Sequence, residues 1–388
     1  MPHLLLSRLP QMSYPFAQGD YTFLACLASA SDCSQLLWVR FCDIDFFLIA
    51  YRKDCKIVLK AHKQTAPTLT HVVQGALAVC KQAFCDSVLA DNLATRAPKS
   101  MQSSHLLDVS ALCALVAQNL GKDMRLEIGF GSGRRILKLA CDNPDTLCIG
   151  VEIYRPSIEQ VLRQMELQNL HNLWILKADA RALLECLPSN CLSEIALHFP
   201  IPWPKRHRRV FTQSFCAHAH RVLQKGGRLH LRTDDEDYFR ESLELLLRLP
   251  SCHCEIGKNR ALDVVSKYES RWLRQQKQIW DLLFACEEEC AQKDDVHFGF
   301  TTDDVAHLAR LFGAGFAPSR HCEDGVLLAI TALYRAESAL VLSLCLGSVA
   351  YPQTVFLVIS GTTAFYCPAL LPLGSNLVAH EWLKRRER

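Results

Sequence analysis

The groups whose types and spacing could do chemistry begin with a glycine cluster flanked by acids. Leu126-Glu127-Ile128 has the composition of a buried strand and runs straight into Gly129-Phe130-Gly131-Ser132-Gly133, after which Arg134 opens a helical pattern. Glycines at these positions permit a tight strand-to-helix turn with close approach of a ligand to the backbone. Such a loop alone is a weak signal, because a purely structural turn uses the same residues. Two details narrow it. A dinucleotide fingerprint needs Gly or Ala where Arg134 stands, and Glu127 at the strand end would repel a pyrophosphate. A ligand that lacks phosphate and carries a cationic amino group and a sulfonium is instead attracted, which favours S-adenosylmethionine over a nicotinamide cofactor.

Two further acids fit the same ligand. Glu152 ends Gly150-Val151-Glu152, roughly twenty residues beyond the loop, where a carboxylate can accept from both ribose hydroxyls. Asp179, in Ala178-Asp179-Ala180 after the third strand, falls where it can accept from the adenine amine. Each acid by itself reads as a solvated strand end. Three at the carboxyl ends of successive strands mark the edge where open α/β sheets bind ligands.

The next cluster is basic and aromatic: His198-Phe199-Pro200-Ile201-Pro202-Trp203-Pro204-Lys205-Arg206-His207-Arg208-Arg209. Lys205, Arg206, Arg208 and Arg209 can contact phosphates, and Trp203 and Phe199 offer faces for an unstacked base. In isolation a short basic run is a solvated surface, but this one follows the fourth strand beside the donor loop. Here the sequence resembles the bacterial tRNA (guanine-N7)-methyltransferase family, whose hallmark is F-P-D-P-W followed by basic residues. Arg232-Thr233-Asp234 with Tyr238 is similar to the family's T-D segment. Ser266-Lys267-Tyr268-Glu269, with Arg271, Arg274 and Trp280-Asp281-Leu282, is similar to its T-K-F-E motif and the positions beyond. The resemblance spans residues 122 to 288 and leaves both flanks outside.

The resemblance implies methyl transfer from S-adenosylmethionine to N7 of guanosine in tRNA, at position 46 of the variable loop. Glu127, Gly129, Gly131, Gly133, Glu152 and Asp179 would hold the donor. Asp234 and Lys205 would be catalytic, Asp234 accepting from guanine N1–H and its amine. Trp203, Lys205, Arg206, Arg208, Arg209, Lys267 and Glu269 would complete the substrate site. Guanine N7 has a free lone pair and no proton, so the rate must come from alignment and field and not from a general base. Four positions depart from the family: Ile201 stands for the aspartate between the prolines, Ser266 and Tyr268 replace Thr and Phe, and Trp272 replaces a glycine. Ile201 motivates the main alternative, a catalytically weak tRNA-binding relative acting as chaperone or scaffold. A methyltransferase for another RNA or a small molecule is the other.

These groups need a sheet to position them. From Met124 to Glu288 strands alternate with helices, the pattern of a parallel sheet covered on both faces. Strands are expected at Met124–Gly129, Leu147–Glu152, Leu173–Lys177, Glu194–Phe199 and Gly227–Thr233, with Gln278–Ala285 as a last, antiparallel strand. Helices are expected at Arg134–Cys141, Pro156–Leu167, Val210–Gln224 and Asp235–Leu247. The fold class is thus α/β, a Rossmann-like class I S-adenosylmethionine-dependent methyltransferase domain over residues 101–290. A β-rich N-terminal extension (1–100) and an α+β C-terminal extension (291–388) flank it. In the first, Tyr21–Ser29, Leu36–Ala50 and Cys55–Ala61 read as strands and Leu77–Leu89 as a helix. Asp43 and Asp45 read as a solvated strand edge.

Composition sets the outer limits. With 388 residues, 49% hydrophobic and 21% charged, the chain is globular and holds more than one domain. A net charge of +3 is too small for indiscriminate coating of nucleic acid, so any such site is a local patch. The 19 cysteines are scattered without a CxxC pair, and the close pairs Cys252/Cys254 and Cys286/Cys290 lack a second pair at zinc spacing. No metal is expected. The start lacks a signal-peptide apolar core, and the uncharged stretch Ser338–Ala379 is interrupted by Gly and Pro, so buried strands are expected there and no membrane span. A reduced, cytoplasmic setting follows. No segment of the sequence repeats another.

Overall fold

The computed structural model describes residues 2–93, 104–251, 253–264 and 267–387, without the side chains of His207, Lys267, Tyr268 and Leu273. Two units result: Gln102–Asp295, and a second built from Met1–Met101 together with Val296–Arg388.

The central unit runs β1 (Leu106–Leu107), α1 (Val109–Gln118), β2 (Met124–Ile128), α2 (Arg134–Asp142), β3 (Leu147–Val151), α3 (Arg155–Gln168), β4 (Leu173–Leu176) and α4 (Ala180–Cys186). It continues with β5 (Leu192–His198), α5 (Gln213–Val222), β6 (Leu223–Thr233), α6 (Glu236–Leu246), β7 (His253–Lys258), α7 (Lys267–Arg274) and β8 (Trp280–Ala285). The described strands form one sheet in the order β7-β8-β6-β5-β2-β3-β4-β1. Strands β1 to β6 run parallel to one another, and β8 runs antiparallel to both β6 and β7. After β2 the chain works outward through β3 and β4, then returns to place β5 on the other side of β2. That reversal opens a crevice at the carboxyl ends of β2 and β5, where such sheets take ligands.

Why the sequence folds this way is local and specific. Every residue of β3, Leu147 to Val151, is buried, as a strand covered on both faces requires. Gly150 sits there because a Cβ would stand 2.9 Å from the side chains of Ile136, Ile175 and Phe130. Helix α3 buries Ile158, Val161, Leu162 and Met165 at helical spacing and stops at Asn169, whose φ of 54° is left-handed. Helix α6 starts where the Asp235 side chain accepts from the Tyr238 amide. The sequence reading starts β6 at Gly227, but the ladder begins at Leu223, paired with Leu192, so α5 ends earlier than its apolar pattern suggests.

The second unit is an antiparallel sheet covered by helices. In its N-terminal part, strands Phe16–Gln18, Tyr21–Ser29, Gln35–Phe41, Ile44–Lys53 and Lys56–Ala61 precede a helix at Thr70–Ala83. In its C-terminal part, strands Ser319–Glu323, Val326–Arg335, Ala339–Ser348, Gln353–Ser360 and Thr363–Cys367 precede a helix at Gly374–Lys384. Each flank thus contains five successive strands followed by a helix; the N-terminal one adds strands at His3–Leu6 and Val88–Asp91, and the C-terminal one opens with a helix at Thr302–Ala314. Their equivalent strands pair antiparallel, Tyr334 opposite Ser29 and Arg335 opposite Ala28. One cluster joins the parts, with Leu27, Leu36 and Phe47 beside Val341, Phe356 and Val358. This architectural duplication leaves no sequence repeat because its pattern, hairpins followed by a helix, accepts any apolar alternation.

Two expectations in this unit are corrected. The run Leu36–Ala50 is a hairpin, turned at Cys42 with φ 49° and braced by Arg40 Nε on Asp45 Oδ1 at 2.8 Å. The helix expected at Leu77–Leu89 lies at Thr70–Ala83; at Gly75, which breaks the apolar pattern, the Tyr21 hydroxyl packs so close that a Cβ would stand 2.1 Å from it and would displace that side chain. The uncharged stretch forms three strands and the start of the last helix, and among the described residues no helix is long and apolar enough to cross a membrane.

Candidate active site

The glycine loop closes the carboxyl end of β2. Gly129, Gly131 and Gly133 have φ of 71°, 53° and 76°, a left-handed conformation that a side chain would strain. Gly133 also packs on α3: a Cβ there would stand 2.3 Å from Val161 Cγ2. At Gly129 a Cβ would meet nothing within 4 Å, and at Gly131 only the Gly129 carbonyl at 4.0 Å. The loop therefore presents open backbone and not a packed turn. Such a cradle suits a ligand that must come close to main-chain atoms.

Glu152 reaches this loop directly. Its Oε2 accepts from the Gly131 amide at 3.0 Å, and Oε1 accepts from the amides of Ile153 and Tyr154 at 2.7 and 3.0 Å. The carboxylate is pre-oriented at the lip of the crevice. Glu127 lies deeper, 5% exposed, and accepts from Arg135 Nη1 at 3.2 Å. Burial pushes its carboxyl up to about 7, against the opposing pull of the Arg135 guanidinium. Arg135 also bonds Glu194 of β5, tying the first turn of α2 to two strands. Asp179 caps α4 through the Arg181 amide at 2.9 Å and holds the Arg181 guanidinium at 2.7 Å. The crevice thus gathers Glu127, Glu152 and the three glycines, with Asp179 at the neighbouring strand end sharing its carboxylate with Arg181.

The basic segment divides into outward and inward groups. Phe199 takes φ 52° as β5 ends, and its amide donates to the Arg232 carbonyl at 2.7 Å. Ile201 is 61% exposed and Trp203 41%. Lys205 and Arg208 face solvent, the Arg208 guanidinium 5.9 Å from the Trp203 ring centroid. Arg206 is exposed but holds Glu241 at 2.8 Å. Arg209 departs from its expected phosphate role. Its side chain is 11% exposed, bonds Glu241 and the Trp203 carbonyl, and lies 5.3 Å from the Tyr238 ring centroid. It anchors the segment to α6.

Glu269 is corrected in the same way. It is 2% exposed and accepts from Arg232 Nη2 at 2.7 Å. Arg232, 1% exposed, also places Nη1 at 2.6 Å from both oxygens of Asp281 and donates to the Arg260 carbonyl. His230 Nε2 lies 2.8 Å from Asp281 Oδ1, and His230 Nδ1 lies 3.1 Å from His198 Nε2. Burial, with His230, Arg135 and Arg232 adding to it, holds His198 well below the ordinary imidazole range, so the ring is neutral. Burial alone would raise Asp281, but bonds from His230 and Arg232 outweigh it and hold the carboxyl below its usual range. This network escaped the sequence reading. Its one signal is the alternation Arg228, His230, Arg232 along a strand that otherwise buries Leu229 and Leu231.

Asp234 follows β6 at the crevice, 15% exposed, with Lys277 Nζ on its Oδ2 at 2.6 Å. Lys277 was not among the expected residues. Ser266, a position of the motif, and the Lys267 side chain, expected at the site, lie outside the described residues, as does Cys252. Among the described residues no group of three or more His, Cys, Asp or Glu side chains could hold a metal ion.

Comparisons with known proteins bear on this arrangement. A family model described as "Putative methyltransferase" matches residues 122–282. A tRNA (guanine-N(7)-)-methyltransferase of Helicobacter hepaticus is 37% identical over 99% of this chain and 98% of its own length. The chain belongs to the tRNA (guanine-N7)-methyltransferase family. A member from Campylobacter jejuni is 31% identical, again over 99% of this chain and 98% of its own. Both flanks, which lie outside the motif resemblance, are therefore shared with these relatives. A solved aminoglycoside resistance methyltransferase, NpmB1, aligns with 46% of this chain and 94% of its own at 17% identity and TM-score 0.34. The central unit is a class I methyltransferase and its cofactor is S-adenosylmethionine.

Proposed function

We propose that the protein transfers a methyl group to N7 of guanosine in tRNA, at position 46 of the variable loop, and works in the cytoplasm where that substrate is processed. The observation that carries this reading is the meeting, at one crevice, of an open glycine cradle with Glu127 and Glu152 on one side and Asp234 with the outward basic segment on the other. S-adenosylmethionine supplies an electrophilic methyl on a sulfonium. Glu152 would take the ribose hydroxyls, Glu127 would balance the donor's positive charge, and Asp179 would accept from the adenine amine. Asp234 would accept from guanine N1–H and the exocyclic amine, turning N7 toward the donor. Lys205, Arg206 and Arg208 would face phosphates, with Trp203 beside them as a surface for a base. Lys267 would order the loop that follows.

Ile201 removes a carboxylate that the resemblance places in this loop, yet N7 carries no proton to abstract. Alignment by Asp234 then bears the work. The test is nucleoside mass spectrometry after incubating the protein with bulk tRNA and S-adenosylmethionine. We expect 7-methylguanosine from the parent chain. An inactive parent restored by Ile201→Asp would overturn the enzyme reading in favour of a binding-only relative.

A further inference from the structure

Lys277 answers a question that Asp234 alone leaves open, namely what the site does with guanine O6. The two side chains form a close pair, Nζ to Oδ2 at 2.6 Å, with Lys277 41% and Asp234 15% exposed. Their geometry is built from below. The turn after α7 doubles back: Gln276 takes φ 53°, and the Lys277 amide donates to the Trp272 carbonyl at 3.1 Å. The ammonium consequently sits 3.7 Å from the Trp272 ring centroid. A ring face attracts a cation and restricts a flexible stem that would otherwise lose its orientation. The departure from the family glycine at Trp272 thereby acquires a physical role. It props the lysine at the mouth of the crevice, next to the carboxylate.

Guanine presents, side by side, an acceptor at O6 and donors at N1 and the exocyclic amine. A carboxylate and an ammonium held in contact offer the complementary order, acceptor for the N1 and amine protons and donor for O6. Adenine presents an amine where O6 stands and an acceptor at N1, so both groups would be mismatched, and a site built for such bonds rejects the wrong base strongly. We propose that Lys277, positioned by Trp272, reads guanine O6 and makes the site select guanine. This rests on the proposed contact of Asp234 with the same base. No step of the methyl transfer passes through the lysine; it is a specificity residue that touches substrate.

The experiment uses the full chain and tRNA transcripts carrying guanosine, 6-thioguanosine or inosine at the methylated position, read as single-turnover rates. Sulfur is a poor acceptor but leaves the N1 proton and amine in place, so thio substitution probes Lys277. Inosine lacks only the amine and probes Asp234. The parent should prefer guanosine over 6-thioguanosine by about tenfold or more. In Lys277→Met the guanosine rate should fall about ten- to hundredfold, and the preference should collapse toward one. Lys277→Arg should keep most of it, and Trp272→Gly should give an intermediate value. A preference unchanged in Lys277→Met would overturn the proposal. If that variant no longer binds S-adenosylmethionine, Trp272→Gly decides, and an unchanged preference there overturns it equally. Failure of the Asp234 contact has a different signature: inosine used as fast as guanosine by the parent, whatever Lys277 does.

Discussion

Replacing Arg232 by methionine tests whether the buried ion cluster is what holds the substrate side of the crevice together. Arg232 is 1% exposed, and the two carboxylates it serves, Asp281 and Glu269, are 1% and 2% exposed. Methionine fills much of the volume but leaves Asp281 with His230 and takes the guanidinium away from both acids. Breaking a buried pair by removing one partner costs about 3–5 kcal/mol, because the remaining charge stays buried without compensation. Since every 1.4 kcal/mol is about tenfold, local opening around β6 and β8 should become roughly 140- to 4,000-fold more frequent.

Bulk melting is the wrong assay for a chain of two units, whose transitions need not coincide. Hydrogen exchange of peptides covering Leu229–Thr233 and Trp280–Phe284, expressed as protection factors, reads the affected strands directly. The pH dependence supplies a second check. In the parent, Asp281 is held below its usual range, so its contribution is present at neutral pH and is lost only as pH falls through the acid range. In the variant the buried carboxylates rise instead, so the penalty is complete at high pH and is relieved as they protonate. The difference in protection should therefore be larger at pH 8 than at pH 5. A difference below about 1 kcal/mol, or one equal at both pH values, would refute the claim that this cluster is electrostatically held.

Two further outcomes follow from the site. With the Glu127 carboxyl near 7, S-adenosylmethionine affinity should drop about tenfold between pH 8 and pH 6 as the ionised fraction shrinks; titration calorimetry of the parent against Glu127→Gln cancels the ligand's own titration, and parallel profiles would remove Glu127 from the donor site. Lys205→Ala with Arg208→Ala should make the dependence of tRNA affinity on log salt shallower by about two units on duplex contacts, whereas Arg209→Ala should leave the slope alone and loosen the segment from Glu241 and Tyr238; filter binding across a salt series distinguishes them.

The sheet of the central unit was legible because its strands carry strong local signals: continuous apolar runs such as Leu147–Val151, bounded by glycine or acid and separated by helical periodicity. Strand β7 was not, since His253 to Lys258 is an edge strand with most side chains exposed and no apolar alternation to read. Helix α1 was missed for another reason, a ten-residue segment bracketed only by Asp108 at its N-cap and by Asn119 and Gly121 after its end. The join between Tyr21–Ser29 and Val326–Arg335 had no local signal at all, because strands paired across some three hundred residues look like any other half-buried strands. In the crevice, the glycines and Glu152 follow from type and spacing, while Arg209 and Glu269 do not. A sequence gives the charge of a side chain but not which way its strand or helix turns it.

That limit has a specific physical origin here. The segments that carry the family resemblance are spread from His198 to Asp281, yet one residue from each meets in a single buried cluster: His198 before the Phe-Pro segment, Arg232 before Thr-Asp, Glu269 in Ser-Lys-Tyr-Glu and Asp281 in Trp-Asp-Leu. A guanidinium sealed at 1% exposure places its two Nη groups on two acids and a carbonyl, which requires three chain segments to arrive together, while its Nε–H has no partner among the described residues. Part of what reads as a catalytic signature is therefore scaffold. The acid and base proposed to face the substrate stand next to it instead: Asp234 lies two residues after Arg232, and Lys277 lies four before Asp281. Fixing the buried pair fixes the position of the exposed one. This is why loss of Arg232 should reach the proposed guanine contacts without touching the base, and why it should leave the glycine cradle and Glu152, held by separate bonds on the far side of β2, in place.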